Sequence, residues 1–272
     1  MPASLPLDDG TRLPSLGFGL YKVPIEQTAQ VVTAGIDAGY RLVDGAQFYG
    51  NERELGEAIR SSGRRDELLV ASKFWGDPVQ SAEQALADFA RSERDLGIGP
   101  LDLYLIHWPR STRGAFVDVW RALIDLQHDG RVRTIGVANF EIDDLRRLID
   151  ETGVAPALNQ VESHPWLPQH ELRAFHAEHG IVTQAWSPLG RGRLLDDPTL
   201  AGIAAKHSAS VAQVILRWHL QLGGAAVVKS VHPERLRQNL DLDGFVLDAA
   251  DLSAIAALET GERTGTHPRD RQ

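Results

Sequence analysis

Short apolar runs alternate with longer amphipathic segments along the whole chain of 272 residues. The runs are apolar at consecutive positions, which is typical of strands buried on both faces in a parallel sheet covered by helices. The eight runs are SLGFGL (15–20), YRLVDG (40–45), LLVASKF (68–74), LDLYLIHW (101–108), VRTIGVANF (132–140), ALNQVE (157–162), IVTQAWSP (181–188) and AAVVKS (225–230).

Helical periodicity appears between these runs. The clearest segments are Thr28–Ala38, Ala82–Leu96, Phe116–Gln127, Ile142–Ile149, Glu171–Glu178 and Val211–Leu222. Repeated strand-then-helix units predict an α/β fold, a closed (β/α)₈ TIM barrel, rather than an open doubly wound sheet. The first strand leads into GFGLYKVP (17–24), which lacks the G-x-G-x-x-G fingerprint of open dinucleotide-binding sheets. No linker or internal repeat divides the chain, so we expect one barrel domain over 1–272.

The segment before the first strand predicts a β-hairpin. LPLDDGTRLP (5–14) places Asp9 and Gly10 between two short extended runs, and Asp-Gly is a strong hairpin turn signal. Because this hairpin precedes the first barrel strand, we expect it to close the floor of the barrel.

Charge and composition exclude several kinds of protein. The net charge of −9 argues against a nucleic-acid partner, which needs a basic face. The chain has no cysteine, so disulfides, thiolate metal sites and cysteine nucleophiles are excluded. The N-terminus lacks a basic region followed by an apolar run, and no apolar stretch approaches the roughly 20 residues that span a bilayer. We therefore expect a cytoplasmic protein with no membrane partner.

Four polar residues lie at the ends of three consecutive predicted strands. Asp44 ends the second strand, with Tyr49 in the loop that follows, and Lys73 and His107 end the third and fourth strands. The carboxyl ends of barrel strands face the active site. Taken singly, these residues are typical of a turn former, packing, a surface cation and a core histidine. Together they predict one site that moves a proton at a carbonyl oxygen.

Three motifs resemble the signature regions of a known family. They are G-Y-R-L-V-D-G-A-x5-E-x2-L-G (39–56), D-L-Y-L-I-H-W-P (102–109) and V-K-S-x4-R-x2-Q-N (228–239). In this order they resemble the aldo-keto reductases, over nearly the whole chain, and the short polar tail is similar to that of a bacterial branch that includes 2,5-diketogluconate reductases. The resemblance implies the same barrel, usually monomeric, and the NADPH-dependent reduction of aldehydes and ketones to alcohols.

The resemblance implies that Asp44, Tyr49, Lys73 and His107 form the catalytic tetrad. A phenol titrates near pH 10, so we expect the Lys73 ammonium to lower the pKa of Tyr49, and Asp44 to keep Lys73 charged. His107 is expected to hydrogen-bond the carbonyl oxygen and fix its position. Tyr49 then acts as the general acid in reduction.

The last strand and its loop are expected to bind the cofactor phosphate, because cations and a hydroxyl cluster at a helix start. The resemblance assigns the 2′-phosphate, adenine, pyrophosphate and nicotinamide contacts along one path. The cofactor residues that it implies are Lys229, Ser230, Arg235, Gln238, Asn239, Ser187, Leu189, Asn139, Gln160 and Trp186. The two cations favour NADPH over NADH.

Aromatic residues in the loops after the strands are candidates for the substrate pocket. They are Tyr21, Phe48, Trp75 and Trp108. Each is also compatible with ordinary core packing. An aromatic pocket admits small carbonyl compounds broadly, and keto-sugars or small dicarbonyls are the expected substrates.

Two other functions remain open from the sequence. The same barrel could be an NADPH-binding regulatory subunit that senses redox state with little turnover, although an intact tetrad argues against it. A cofactor-free barrel isomerase or lyase would keep the tetrad but not the basic cluster around Lys229 and Arg235.

A histidine-rich stretch, HPWLPQHELRAFHAEH (164–179), offers a rival metal site. His176 and His179 are spaced as a helical pair, but zinc requires a fixed and closed ligand set. The stretch is more typical of a proline-containing loop entering an exposed helix, so we expect no metal.

Overall fold

A computed structural model describes residues 4–271, in which eight parallel strands close into a barrel. The antiparallel pair β1 (Ser4–Pro6) and β2 (Arg12–Pro14) precedes them. The barrel strands are β3 (Leu16–Gly19), β4 (Leu42–Asp44), β5 (Leu69–Phe74), β6 (Leu101–Ile106), β7 (Val132–Ala138), β8 (Leu158–Glu162), β9 (Val182–Trp186) and β10 (Ala225–Val228). The predicted (β/α)₈ barrel is confirmed. Residues 1–3 and 272 lie outside the described ones, and the domain limits of 1–272 stay a prediction.

Helices cover the outside of the barrel. Those in residues 4–271 are α1 (Ile25–Ala38), α2 (Glu52–Ser62), α3 (Ala82–Leu96), α4 (Phe116–His128), α5 (Ile142–Thr152), α6 (His170–Glu178), α7 (Pro198–Lys206), α8 (Val211–Gln221), α9 (Pro233–Leu240) and α10 (Ala249–Ala256). The sequence pattern missed α2, α7 and α10. Their length alone does not explain this, because α5 and α6, with 11 and 9 residues, were predicted and α2 also has 11. None of the helices in the described range is long and apolar enough to cross a membrane.

Local sequence signals set the ends of the helices. α3 begins after Ser81, whose hydroxyl accepts a hydrogen bond from the backbone N–H of Gln84 at 3.1 Å. It ends at Gly97, which has a φ of 56°, a left-handed conformation that glycine adopts without steric cost. α8 begins with a capping box between Ser210 and Gln213.

The hairpin closes the end of the barrel where the strands begin, as predicted. Leu13 is fully buried in a cluster that includes Leu42 and Leu158, the first residues of β4 and β8. The turn is anchored to β7, because the Thr134 hydroxyl donates to the Asp9 carboxylate at 2.5 Å. The opposite end, where the strands finish, is therefore the open one.

The histidine-rich stretch does not converge on one point. His176 is buried, with Asn159 and Thr183 as hydrogen-bond partners at 3.0 and 2.8 Å. Burial lowers its pKa to about 3, which keeps it neutral. His170 is exposed and lies 3.3 Å from Glu259. Across residues 4–271, no group of three or more His, Cys, Asp or Glu side chains is arranged to hold a metal ion.

The packing of α2 against the end of α3 depends on a glycine. A Cβ at Gly56 would collide with the backbone carbonyl of Leu96, whereas a Cβ at Gly202 in α7 meets nothing within 4 Å. Because backbone cannot move aside cheaply, we expect Gly56→Ala to destabilise the protein by about 1–3 kcal/mol or more. Gly202→Ala is the matched control and should be neutral or slightly stabilising. Urea unfolding of both variants is the measurement, and equal midpoints would contradict the close approach.

Candidate active site

Three neighbouring strands bring the four predicted catalytic residues together at the open end. Asp44 is the last residue of β4, Lys73 lies near the end of β5, and His107 follows β6 directly. Tyr49 sits in a short 3-10 turn after β4. The parallel pairing of β4 with β5 and of β5 with β6 makes their ends adjacent. The expected convergence is therefore present in the structure.

Asp44 and Lys73 form a buried ion pair. Lys73 Nζ lies 2.7 Å from Asp44 Oδ1 and also donates to the backbone carbonyl of Gly45 at 2.8 Å. The Lys73 side chain has no exposed surface. Burial lowers the pKa of Lys73, and the carboxylate of Asp44 opposes that change. The pair holds a charged group inside the barrel that could not remain there unpaired.

The Lys73 ammonium also contacts the phenol of Tyr49. Lys73 Nζ lies 3.2 Å from the Tyr49 hydroxyl oxygen, and that hydroxyl lies 3.5 Å from Asp44 Oδ2. Burial, followed by the negative charge of Asp44, raises the pKa of Tyr49 well above its usual value. The prediction that the pKa of Tyr49 is lowered is wrong for this structure, because burial and the Asp44 carboxylate both raise it. The phenol is thus fully protonated at neutral pH.

His107 lies in an aromatic wall beside this chain of groups. Its ring centroid is 5.0 Å from that of Trp75 and 6.0 Å from that of Tyr49. Burial, and then nearby cations led by Lys73, lower its pKa well below the usual value. A neutral imidazole carries one N–H donor, which suits a hydrogen bond to an uncharged oxygen. Among the described residues, its Nδ1 has no hydrogen-bond partner.

Two amides tie this group to the neighbouring strands. Gln160 on β8 donates both hydrogens of its Nε2, to Asp44 Oδ1 and to Gln184 Oε1, each at 2.7 Å. Only its oxygen is left to accept a bond from a ligand. Asn139 donates to the His107 carbonyl at 2.9 Å and accepts from the Trp186 indole at 2.8 Å. The Trp186 ring is therefore held in orientation.

A cavity of about 1000 Å³ opens at this end of the barrel. All of the predicted catalytic, cofactor and substrate residues line it except Lys73, which lies buried behind Tyr49. The predicted lining residues are Asp44, Tyr49, His107, Asn139, Gln160, Trp186, Ser187, Leu189, Lys229, Ser230, Arg235, Gln238, Asn239, Tyr21, Phe48, Trp75 and Trp108. The structure thus joins residues from eight separate segments in one space.

The basic cluster lies at the part of the cavity next to α9. Lys229 and Ser230 occupy the loop between β10 and α9, and Arg235 lies in the first turn of that helix. Within residues 4–271, neither cation forms a salt bridge. Two cations without carboxylate partners beside a helix start are suited to bind a phosphate.

The C-terminal tail also contributes to the site, which no sequence motif predicted. The backbone N–H groups of Thr264 and Gly265 donate to the buried carboxylate of Glu162 at 2.7 and 3.0 Å. Gly265 packs so closely on Trp186 that an added Cβ would collide with the indole ring. Farther along, Arg271 lines the cavity. These contacts join residues about a hundred positions apart, so no local pattern could have shown them.

The fold and the site define a (β/α)₈ barrel whose open end holds tyrosine, lysine and aspartate side chains in mutual contact. A model of the "Aldo/keto reductase family" matches residues 15–260. A Mycolicibacterium smegmatis protein described as an aldo-keto reductase is 48% identical over 270 residues, covering 99% of this chain and 98% of its own length. The 2,5-diketo-D-gluconic acid reductase B of a Corynebacterium species is 47% identical over 261 residues, covering 95% of this chain and 94% of its own length.

A solved structure agrees with these relatives. A Gox0644 variant in complex with NADPH matches with a TM-score of 0.95 and 42% identity, covering 100% of this chain and 99% of that one. The chain belongs to the aldo/keto reductase family, whose members are oxidoreductases acting on carbonyl groups. The predicted family and enzyme class are confirmed.

The buried ion pair gives a sharp test of stability. Asp44→Asn leaves the Lys73 ammonium buried without a charge partner, so we expect a loss of about 3–5 kcal/mol in the free energy of unfolding. Asp118→Asn is the matched control, because Asp118 and Arg121 are also 2.7 Å apart but exposed, and should cost less than about 1 kcal/mol. Denaturant unfolding at neutral pH measures both, and similar losses would show that burial does not govern the pair.

Proposed function

We propose that this chain reduces aldehydes and ketones to alcohols with NADPH, and that Tyr49 donates the proton. The observation that supports this most is the unbroken contact of Asp44, Lys73 and Tyr49 beside a neutral His107. This group lies in the same cavity as Lys229 and Arg235, which form no salt bridge within residues 4–271. A proton donor and a phosphate site in one cavity are what a nicotinamide-dependent reductase needs.

The residues around the cavity suit the parts of NADPH in order. Lys229, Ser230 and Arg235 would hold the 2′-phosphate. The side-chain amides of Asn139 and Gln160 would hydrogen-bond the nicotinamide carboxamide, with Gln160 accepting through its oxygen. Trp186 would lie against the nicotinamide ring. The remaining candidates, for the pyrophosphate and the adenine, are Ser187, Leu189, Gln238 and Asn239. When bound, NADPH supplies the hydride, which no side chain can provide.

The protein groups would act on the carbonyl oxygen. Tyr49 and His107 both face the cavity and would hold that oxygen by hydrogen bonds. As negative charge develops on the oxygen, the Tyr49 proton passes to it, and Lys73 stabilises the phenolate that is left. Asp44 and Gln160 keep the ammonium and the carboxylate in place throughout. Because its pKa is raised, the Tyr49 phenol carries its proton before each turnover.

The substrate side of the cavity is aromatic and partly open. Phe48 and Trp75 stack with ring centroids 3.7 Å apart, and Tyr21 lies 5.2 Å from Tyr49. Trp108 lies behind His107 and is largely buried. Such walls would accept small aldehydes and ketones, and keto-sugars or small dicarbonyls are the proposed substrates. The name of the Corynebacterium relative is consistent with this class.

Removing one hydroxyl tests the proton donor. We expect Tyr49→Phe to reduce kcat by at least about a hundredfold, because general acid catalysis contributes roughly 10²–10⁴-fold. Binding of NADPH, followed by quenching of tryptophan fluorescence, should change little. Tyr104→Phe is the matched control, since the Tyr104 hydroxyl is buried outside the cavity with no partner among the described residues. Normal turnover by Tyr49→Phe would exclude the proposed role.

A second substitution tests the phosphate site. Arg235→Gln removes a cation from the cavity wall, so the Kd for NADPH should rise about tenfold or more while that for NADH changes little. Arg237→Gln, on the same helix but outside the cavity, is the control and should leave both constants unchanged. Fluorescence titration with both cofactors gives the four constants. If the Kd for NADPH and the Kd for NADH rose equally, the proposal that the 2′-phosphate binds at Arg235 would be wrong.

The regulatory alternative makes a different forecast for the same assays. A redox-sensing subunit would bind NADPH tightly and show the Arg235 effect, yet turn over no carbonyl compound across a broad panel. The aligned proton donor and the open substrate side favour the reductase.

A further inference from the structure

Two guanidinium groups lie over the Trp75 ring, those of Arg110 and Arg271. Asp77 lies 3.6 Å from Arg110 and 3.9 Å from Arg113. Arg271 has no carboxylate within ion-pairing distance among the described residues. Its guanidinium carbon lies 4.6 Å from the centre of the Trp75 ring. The molecule is acidic as a whole, but this part of the cavity carries a cation that no carboxylate within residues 4–271 pairs with.

Stacking gives this cation a defined position. Besides Trp75, the Arg271 guanidinium lies 5.6 Å from the centre of the Trp108 ring. A guanidinium held over aromatic faces keeps its N–H edges free for a bidentate acceptor. His107 packs against the same Trp75 ring, 5.0 Å between centroids. The Arg271 guanidinium carbon and the centre of the His107 ring, 4.6 and 5.0 Å from the same point, therefore lie less than about 10 Å apart.

The tail that carries Arg271 is anchored at two points, Glu162 and Glu141. Thr264 and Gly265 bind Glu162, as described above, and Arg269 Nε lies 2.6 Å from Glu141 Oε2. These anchors fix the chain up to two residues before Arg271. The guanidinium is therefore held at the cavity by tertiary contacts as well as by stacking.

The cofactor phosphates do not account for this cation. Arg271 contacts Trp75 and Trp108, which follow β5 and β6, whereas the basic cluster follows β10. In the closed barrel, β3 and β4 lie between β10 and β5. Arg271 accordingly faces the aromatic substrate side of the cavity.

We propose that Arg271 binds a carboxylate of the substrate, so that this reductase prefers carbonyl compounds carrying an anionic group, such as oxo acids and keto-sugar acids. This inference rests on the proposed function. A guanidinium binds a carboxylate through two parallel charge-assisted hydrogen bonds. With the carboxylate held there, the carbonyl at the far end of the molecule lies toward Tyr49 and His107. Arg271 thus sets substrate preference and takes no part in proton transfer.

A matched pair of substrates tests the proposal directly. The probes are para-carboxybenzaldehyde, which is anionic at neutral pH, and its neutral methyl ester, each followed by NADPH oxidation. For the acid, Arg271→Gln should raise KM about tenfold or more with little change in kcat, because a charged hydrogen bond is worth roughly 1.5–3 kcal/mol. For the ester, kcat/KM should stay within about twofold. Arg271→Lys should recover part of the preference for the acid. Added salt should raise KM for the acid and leave KM for the ester unchanged.

Arg269→Gln is the control for the tail. It removes a guanidinium from the same segment but outside the cavity, so any loosening of the tail should affect the acid and the ester equally. If Arg271→Gln also changed both substrates equally, or if the wild type showed no preference for the acid, the carboxylate site would be wrong while the reductase stood. If the wild type reduced neither compound nor any other carbonyl, the proposed function itself would fail.

Discussion

The buried ion pair of Asp44 and Lys73 is the interaction on which the active site depends. Two opposite charges 2.7 Å apart, both removed from water, are stable only while every remaining donor and acceptor is satisfied. The structure meets this need with the Gly45 carbonyl, the Gln160 amide and the Tyr49 hydroxyl. Gly45 and Tyr49 follow β4 closely, whereas Gln160 lies on β8. The pair therefore ties β4, β5 and β8 together and fixes the proton donor at the same time.

The same burial acts in opposite directions on the two groups that face the carbonyl. It raises the pKa of Tyr49 and lowers that of His107, because desolvation always disfavours the charged form. Both groups are consequently neutral in the working range of pH. The phenol keeps a proton to give, and the imidazole keeps a donor without a competing positive charge. Two neutral donors beside a buried ammonium suit an oxygen that becomes negative during reduction.

Much of this could be predicted from the chain itself. The eight apolar runs correspond to the eight barrel strands, and the Asp9-Gly10 turn marked the floor. The four polar strand ends converge as expected, since neighbouring strands of a barrel must finish side by side. The helices α2, α7 and α10 were missed, although α5 and α6 of similar length were predicted. The direction of the Tyr49 pKa was also wrong, because proximity to Lys73 suggests one sign and burial imposes the other.

Local periodicity and short motifs are enough to predict the barrel, the family and the candidate residues. The balance of charges around those residues depends instead on the folded chain. That balance depends on which groups are buried and which are paired, and both follow from contacts between distant segments. Glu162 accepts hydrogen bonds from the C-terminal tail about a hundred residues later in the chain, and Arg271 stacks on Trp75. No periodicity records such contacts, since the chain meets itself there only after it has folded.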